Sequence, residues 1–291
     1  MRDNVPRGLT LQILHVGMSM QSSDSKMYLH TPPLRRLGQN FLVDNTARDL
    51  IVNSADLSKS DIVLEVGPGR GFLTETLIAR AGRVIAVEKD LRLASVLKQK
   101  HRGNRRLRVI EGDILKVKVP RFTKVVCTPP YYISSRLVLL LISRRFRCAV
   151  LTLQKEFAER LGAKPGSPDY GRISVMVQHK SSVELAGVIR RDSFRPVPRV
   201  DSAVVVIRRK KPDVPVRSER IFADMVRFMF TQRRKKAKKV LRQYLEPFHG
   251  DKDLVNRILS SLRDVRVFQL TVGDFEQLSN EIASMKRERL D

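Results

Sequence analysis

Apolar positions along this chain fall into two regimes. From Leu34 to about Ile207, short apolar runs alternate with amphipathic stretches; from Ser218 onward only a helical period is present. The first regime predicts helices from Asn45 to Ser54 and from Phe72 to Ile78. It predicts strands at Ile62–Val66, Arg83–Val87, Leu107–Ile110, Lys124–Cys127 and Ala149–Leu153. Strands that alternate with helices imply a mainly parallel sheet covered on both faces. Two later runs, Ser182–Ile189 and Ser202–Ile207, have no long helix between them and read as a closing antiparallel pair. Pro196 and Pro198 sit in their connection, where proline is tolerated. In the second regime Ile221, Met225, Phe228 and Met229 share one helical face, and Leu254, Ile258 and Leu262 another. Arg208 to Pro212 and Pro215 read as the linker between the two regimes.

The expected organisation is therefore a tail over residues 1–30, an α/β domain over 31–210 and a helical domain over 211–291. The tail has weak periodicity and is expected to be disordered or to be upstream sequence, since Met18, Met20 and Met27 are alternative starts. Arg2, Arg7 and its serines would suit a transit peptide, while Asp3 and Asp24 oppose one. There are no internal repeats.

Charge changes the picture. Lys and Arg number 56 against 30 Asp and Glu, a formal charge of +26 over 291 residues. That excess points to a polyanionic partner. That polyanion is either nucleic acid or an anionic membrane surface; no apolar run approaches the roughly twenty residues that a spanning helix needs. Part of the charge lies in Arg233, Arg234, Lys235 and Lys236, a run suited to phosphate contacts or to a solvated face. Cys127 and Cys148 are the only cysteines, both in apolar strands, and read as buried reduced thiols. No His or Cys spacing suits a metal, and no triad pattern is present.

The densest chemical signal is Val63-Leu64-Glu65-Val66-Gly67-Pro68-Gly69-Arg70-Gly71. A strand running into a glycine turn and then a helix is how an α/β sheet holds a nucleotide-like ligand. The third glycine of a dinucleotide fingerprint is Phe72 here, and the lysine of a phosphate loop is missing. E-x-G-x-G instead resembles the first motif of S-adenosylmethionine-dependent methyltransferases. Glu88 ends the next strand, about twenty residues past the glycines, where an acid reaches ribose hydroxyls. Asp113 follows the third strand and suits an adenine amino group.

The fourth strand ends in Cys127-Thr128-Pro129-Pro130-Tyr131-Tyr132. Prolines hold the backbone carbonyls outward, and a tyrosine offers a base a stacking face. [Asn/Asp/Ser]-Pro-Pro-[Tyr/Phe] marks methyltransferases that act on the amino groups of adenine or cytosine. From Leu34 to Leu290 the chain resembles the small-subunit rRNA adenine dimethyltransferase family, in an archaeal-type form. Erythromycin-resistance rRNA methyltransferases are its relatives. The segments that carry the resemblance are 37–42, the glycine motif, 128–135, 169–172, 194–202 and 232–234.

The resemblance implies an α/β, Rossmann-like methyltransferase sheet with a small C-terminal all-helical domain. It implies S-adenosylmethionine as cofactor, with contacts from Asn40, Leu42, Gly67, Gly69, Glu88, Asp113 and Thr128. It further implies catalysis by Thr128, Pro129, Pro130 and Tyr131, with base stacking on Tyr131 and Phe194. The expected partner is the assembling small ribosomal subunit, met by a cytoplasmic monomer with no metal. The family usually has Asn where this chain has Thr128, so reach and acceptor strength should be lower there. An assembly factor with weak or no catalysis, or a methyltransferase for another nucleic acid, is the alternative.

Overall fold

The computed structural model describes residues 31–246 and 252–287; the expected tail and the residues around His249 lie outside the described ones. Residues from Pro33 onward form one unit. A short strand β1 (Phe41–Leu42) leads into helix α1 (Asn45–Ser54), whose first turn is closed by Asp44. That carboxylate accepts the Ala47 N–H at 3.1 Å and the Ser193 hydroxyl at 2.9 Å. Then β2 (Ile62–Val66), α2 (Phe72–Arg80), β3 (Arg83–Glu88), α3 (Leu91–Lys100), β4 (Leu107–Glu111) and β5 (Lys124–Cys127) alternate as the pattern predicts. After them come α4 (Ser134–Ile142), β6 (Cys148–Gln154), α5 (Lys155–Leu161), α6 (Arg172–Gln178), β7 (Ser181–Ile189), β8 (Phe194–Arg195) and β9 (Ser202–Arg209).

Seven strands form one sheet in the order β4-β3-β2-β5-β6-β9-β7. The first five are parallel, and β9 is antiparallel to both β6 and β7. Period-two alternation splits the strands between two cores. Leu64 and Val66 face α4 and α5 on one side, while Val63 and Val84 face α1 and α2 on the other. Near-continuous apolar runs are what a sheet covered on both faces requires. Chain order reverses between β2 and β5, which opens a crevice at their carboxyl ends. The tiny β1–β8 pair lies apart from this sheet, with Leu42 opposite Phe194.

Beyond β9 the described chain has only helices: α7 (Glu219–Phe230), α8 (Ala237–Leu245), α9 (Lys252–Ser261) and α10 (Val272–Arg287). Ser218 caps α7 through the Ile221 N–H. The core of these helices includes Tyr170 and Val175 from the α5–α6 region. The predicted linker is tied down. Glu276 of α10 accepts the Val214 N–H at 3.1 Å, and Asn280 takes the Arg217 N–H at 2.7 Å. The other Glu276 oxygen bonds the buried His179 Nδ1 at 2.6 Å. Both cysteines are buried thiols; burial, assisted by the charge of Glu65, pushes Cys127 up to about 12.

Candidate active site at the carboxyl edge of the sheet

Gly67 and Gly69 follow β2 with φ of 69° and 58°, a region that side chains other than glycine rarely enter. At Gly69 space is tight as well: a Cβ there would stand 3.0 Å from the Phe41 ring, whereas one on Gly67 would make only ordinary contact with Pro130 at 3.6 Å. The turn thus presents bare backbone at the β2–β5 crevice. Glu88, 5% exposed, closes it from β3: its carboxylate accepts the Gly69 N–H at 3.0 Å and the Asp90 N–H at 2.8 Å. Burial raises its pKa above the ordinary range despite those donors. Each oxygen keeps a lone pair for a hydroxyl donor. Behind it Glu65 is buried against the Thr74 hydroxyl, which donates at 2.7 Å. Burial pushes Glu65 up to about 8; the Thr74 bond opposes this and the nearby Glu88 charge adds to it.

Asp113 accepts the Leu115 N–H at 3.0 Å and pairs with Lys89 Nζ at 3.0 Å. Burial acts to raise its pKa, but the Leu115 bond and Lys89 outweigh it, and the carboxylate stays ionised. The 34–42 segment is drawn across the same edge. Gln39 accepts from the Leu34 N–H and donates to Asp90 at 3.0 Å, while Arg70 stacks over Phe41 at 4.7 Å. Asp90 also caps α3 and binds Arg92, whose hydrogen bond holds the Asp90 pKa down to about 2. Asn40 is half-buried beside this turn, with its amide 3.5 Å from the Gly38 carbonyl. Leu42 is buried in the core, so only its backbone is open to a ligand.

The β5 strand delivers Thr128 to the crevice. Among the described residues neither the Thr128 hydroxyl nor the Pro129 carbonyl has a hydrogen-bond partner, so both remain available as acceptors. The Pro130 carbonyl is committed to the Ile133 N–H at 3.1 Å. Tyr131 is half-buried and its hydroxyl meets Ser202 at 2.6 Å, which fixes the ring; burial raises its pKa. Tyr132 is 49% exposed and its ring lies over Gly38. Phe194 departs from expectation: it is 2% exposed, packed in the core beneath the β1–β8 pair, with no free face for a base.

A glycine turn bounded by two carboxylates suits an adenosine, whose ribose hydroxyls and amino group are all donors. The donor set therefore fits S-adenosylmethionine. The family model described as ribosomal RNA adenine dimethylase matches residues 34–284. The chain belongs to the ribosomal RNA adenine dimethylase family. It is accordingly an S-adenosylmethionine-dependent rRNA adenine methyltransferase. A dimethylase relative from Thermococcus sibiricus, named probable ribosomal RNA small subunit methyltransferase A, is 40% identical over 84% of this chain and 90% of its own length. One from Halothermothrix orenii, named ribosomal RNA small subunit methyltransferase A, is 39% identical over 84% and 87%. Among solved structures, a dimethyladenosine transferase from Plasmodium falciparum superposes with a TM-score of 0.73 at 29% identity, over 84% of this chain and 98% of its own. The 23S rRNA methyltransferase ErmE gives 0.64 at 28%, over 84% and 100%.

Within this dimethylase the expected basic run divides. Arg233 is not free for phosphate: its guanidinium donates to the Pro168 carbonyl at 2.8 Å and stacks over Phe268 at 5.5 Å. Lys236 pairs with Asp264 at 2.8 Å. Arg234 and Lys235 are exposed, with no side-chain partner among the described residues. Sequence reasoning missed Gln39, Lys89, Asp90 and Tyr132. Gln39 and Tyr132 lie within motifs that were noticed, and Asp90 sits where a helix cap is expected; Lys89 carries no local signal, because Asp113 is 24 residues away.

Proposed function

We propose that this enzyme dimethylates adjacent adenosines near the 3′ end of small-subunit rRNA during ribosome assembly. The observation that carries this reading is the pair of acceptors, the Thr128 hydroxyl and the Pro129 carbonyl, that have no partner among the described residues and follow the strand beside the glycine turn at the switch point. The relatives named as small-subunit methyltransferases support the choice of RNA. S-adenosylmethionine, when bound by Gly67, Gly69, Glu88 and Asp113, supplies an electrophilic methyl group. The chain supplies the rest. An exocyclic adenine nitrogen is a poor nucleophile because its lone pair is conjugated into the ring. Two acceptors on its N–H groups localise that lone pair and stabilise the positive charge that grows on it. No strong base is required.

The adenine must also leave its stack to reach the crevice. Tyr131, held by Ser202, provides a face worth roughly 1–3 kcal/mol, and the exposed Tyr132 stands next to it. Arg234 and Lys235 grip phosphates, so binding weakens steeply with salt. The reading is of a monomer that acts where ribosomes assemble, in the cytoplasm. No helix among the described residues is long and apolar enough to cross a membrane.

The deciding experiment is methyl transfer from labelled S-adenosylmethionine to small subunits that lack the modification, followed by digestion of the RNA. Dimethyladenosine near the 3′ end is expected. Binding of cofactor and subunit without transfer would overturn the reading in favour of an assembly factor that has lost the chemistry.

A further inference from the structure

The turn from α3 to β4 reads His101-Arg102-Gly103-Asn104-Arg105-Arg106-Leu107-Arg108. Helix α3 runs back from the carboxyl edge, so this turn lies at the opposite end of the sheet from Glu88 and Asp113. The five residues of β4, at about 3.3 Å each, separate the two by about 15–20 Å. Between the end of α3 and the start of β4 is an open cleft of about 390 Å³. Lys98, Arg102 and Arg105 stand on its rim, and the half-buried Leu107 and Val109 line it below. β4 is the outermost strand, so no further strand covers this side.

Arg102, Arg105, Arg106 and Arg108 are all exposed, and none has an acidic partner among the described residues. The neighbouring lysines are different: Lys98 pairs with Glu111 at 2.7 Å, and Lys100 pairs with Glu75. Charge on an edge strand serves to block strand addition, but that task needs no cleft. Of these, Arg102 and Arg105 line the cleft, and two like charges there without an acidic partner among the described residues favour a polyanion. One more feature suits a ligand: a Cβ on Gly103 would meet nothing within 4 Å, so the backbone there is open to close approach.

We propose that this cleft is a second RNA-docking surface, separate from the crevice and from the Arg234–Lys235 run. It binds the phosphodiester backbone of a part of the rRNA substrate remote from the target adenosine. Guanidinium forks match phosphate oxygens two at a time, which favours arginine over lysine for this purpose. The apolar floor accommodates a ribose or the face of a base. At 15–20 Å from the reacting edge the cleft cannot touch the target nucleotide, so it contributes to RNA affinity and not to the rate of transfer. This inference rests on the rRNA reading above.

The test is the double variant Arg102→Glu/Arg105→Glu, with Arg102→Gln/Arg105→Gln as the milder form. Arg144→Glu/Arg145→Glu, equally exposed and with the same change of charge, is the control. Methylation kinetics on small subunits and binding to protein-free rRNA are measured for each. The expected result is a KM for subunits raised on the order of tenfold, a weaker affinity for free rRNA, and a salt slope shallower by about one per lost phosphate contact. kcat and cofactor affinity stay unchanged. An active wild type with an unchanged KM in the variant overturns the cleft alone, whereas an inactive wild type overturns the function proposed above. An equal effect in the control reduces the result to net charge. Weaker binding to subunits with unchanged affinity for free rRNA gives the cleft to a ribosomal protein instead. Either of these last outcomes also overturns the proposal.

Discussion

Two side chains, one at the crevice and one buried behind it, are open to test by single substitution. Thr128 offers a hydroxyl on a short, β-branched stem where the family usually has an amide carbonyl. Losing a well-placed acceptor costs on the order of 3 kcal/mol, about a hundredfold in rate. Thr128→Asn is therefore expected to raise turnover or the dimethyl fraction of product; no gain in either shows that Thr128 is not limiting. Glu65 makes a prediction about pH. Its folded pKa of about 8 lies above its ordinary 4.5, so the folded state holds a proton that the unfolded chain releases. Its contribution to stability is fully present below about pH 4.5 and is lost as pH rises towards 8. Glu65→Gln keeps an acceptor for Thr74 and removes this loss, so its melting temperature should fall less than wild type between pH 5 and 8. Parallel curves for the two proteins would mean that Glu65 is ionised in the fold. The glycine motif made Glu65 visible in the sequence; its protonation was not, because that follows from the groups packed around it.

At the scale of elements, the basic stretch between α7 and α8 combines two roles that share one composition. Arg233 is bonded to the Ser167 and Pro168 carbonyls of the α5–α6 loop, whereas Arg234 and Lys235 are exposed with no side-chain partner among the described residues. Arg233→Ala should lower the melting temperature, since the two carbonyls it serves lose a charged donor, a change of about 1–3 kcal/mol. Arg234→Ala/Lys235→Ala should leave the melting temperature unchanged and weaken RNA binding uniformly across sequences. Thermal scans and filter binding on the two variants separate the roles; identical effects would remove the distinction. The strands themselves were legible, because strands covered on both faces must be apolar at nearly every position. The β1–β8 pair was not, since two residues carry no periodicity.

For the whole molecule, the helical segment does not complete its own core. Tyr170 and Val175 fill it from outside, and His179 meets Glu276 across the junction. A fragment of residues 211–291 is therefore expected to show no cooperative thermal transition by circular dichroism. A sharp transition would mean that the helices close without those partners. The expected boundary near residue 210 marks where the composition changes, but the packing crosses it.

Local chemistry is what the sequence determined. Glycines after a strand, an acid at the next two strand ends and a proline turn after the fourth each act through backbone conformation or through a position along one strand. Their resemblance to known methyltransferase motifs implied the cofactor and the reaction, and the net charge pointed to a polyanionic partner. The tertiary structure decided which members of each chemical type are free. Phe194 and Tyr131 are both aromatic, yet one is buried and the other, bonded to Ser202, is only half-buried. Arg233 is occupied, while Arg102 and Arg105 have no acidic partner among the described residues. Gln39 reaches Asp90, 51 residues away, to hold the 34–42 segment over the site. Whether a charge or a ring is available depends on partners brought together only when the chain folds, and no periodicity or motif records them.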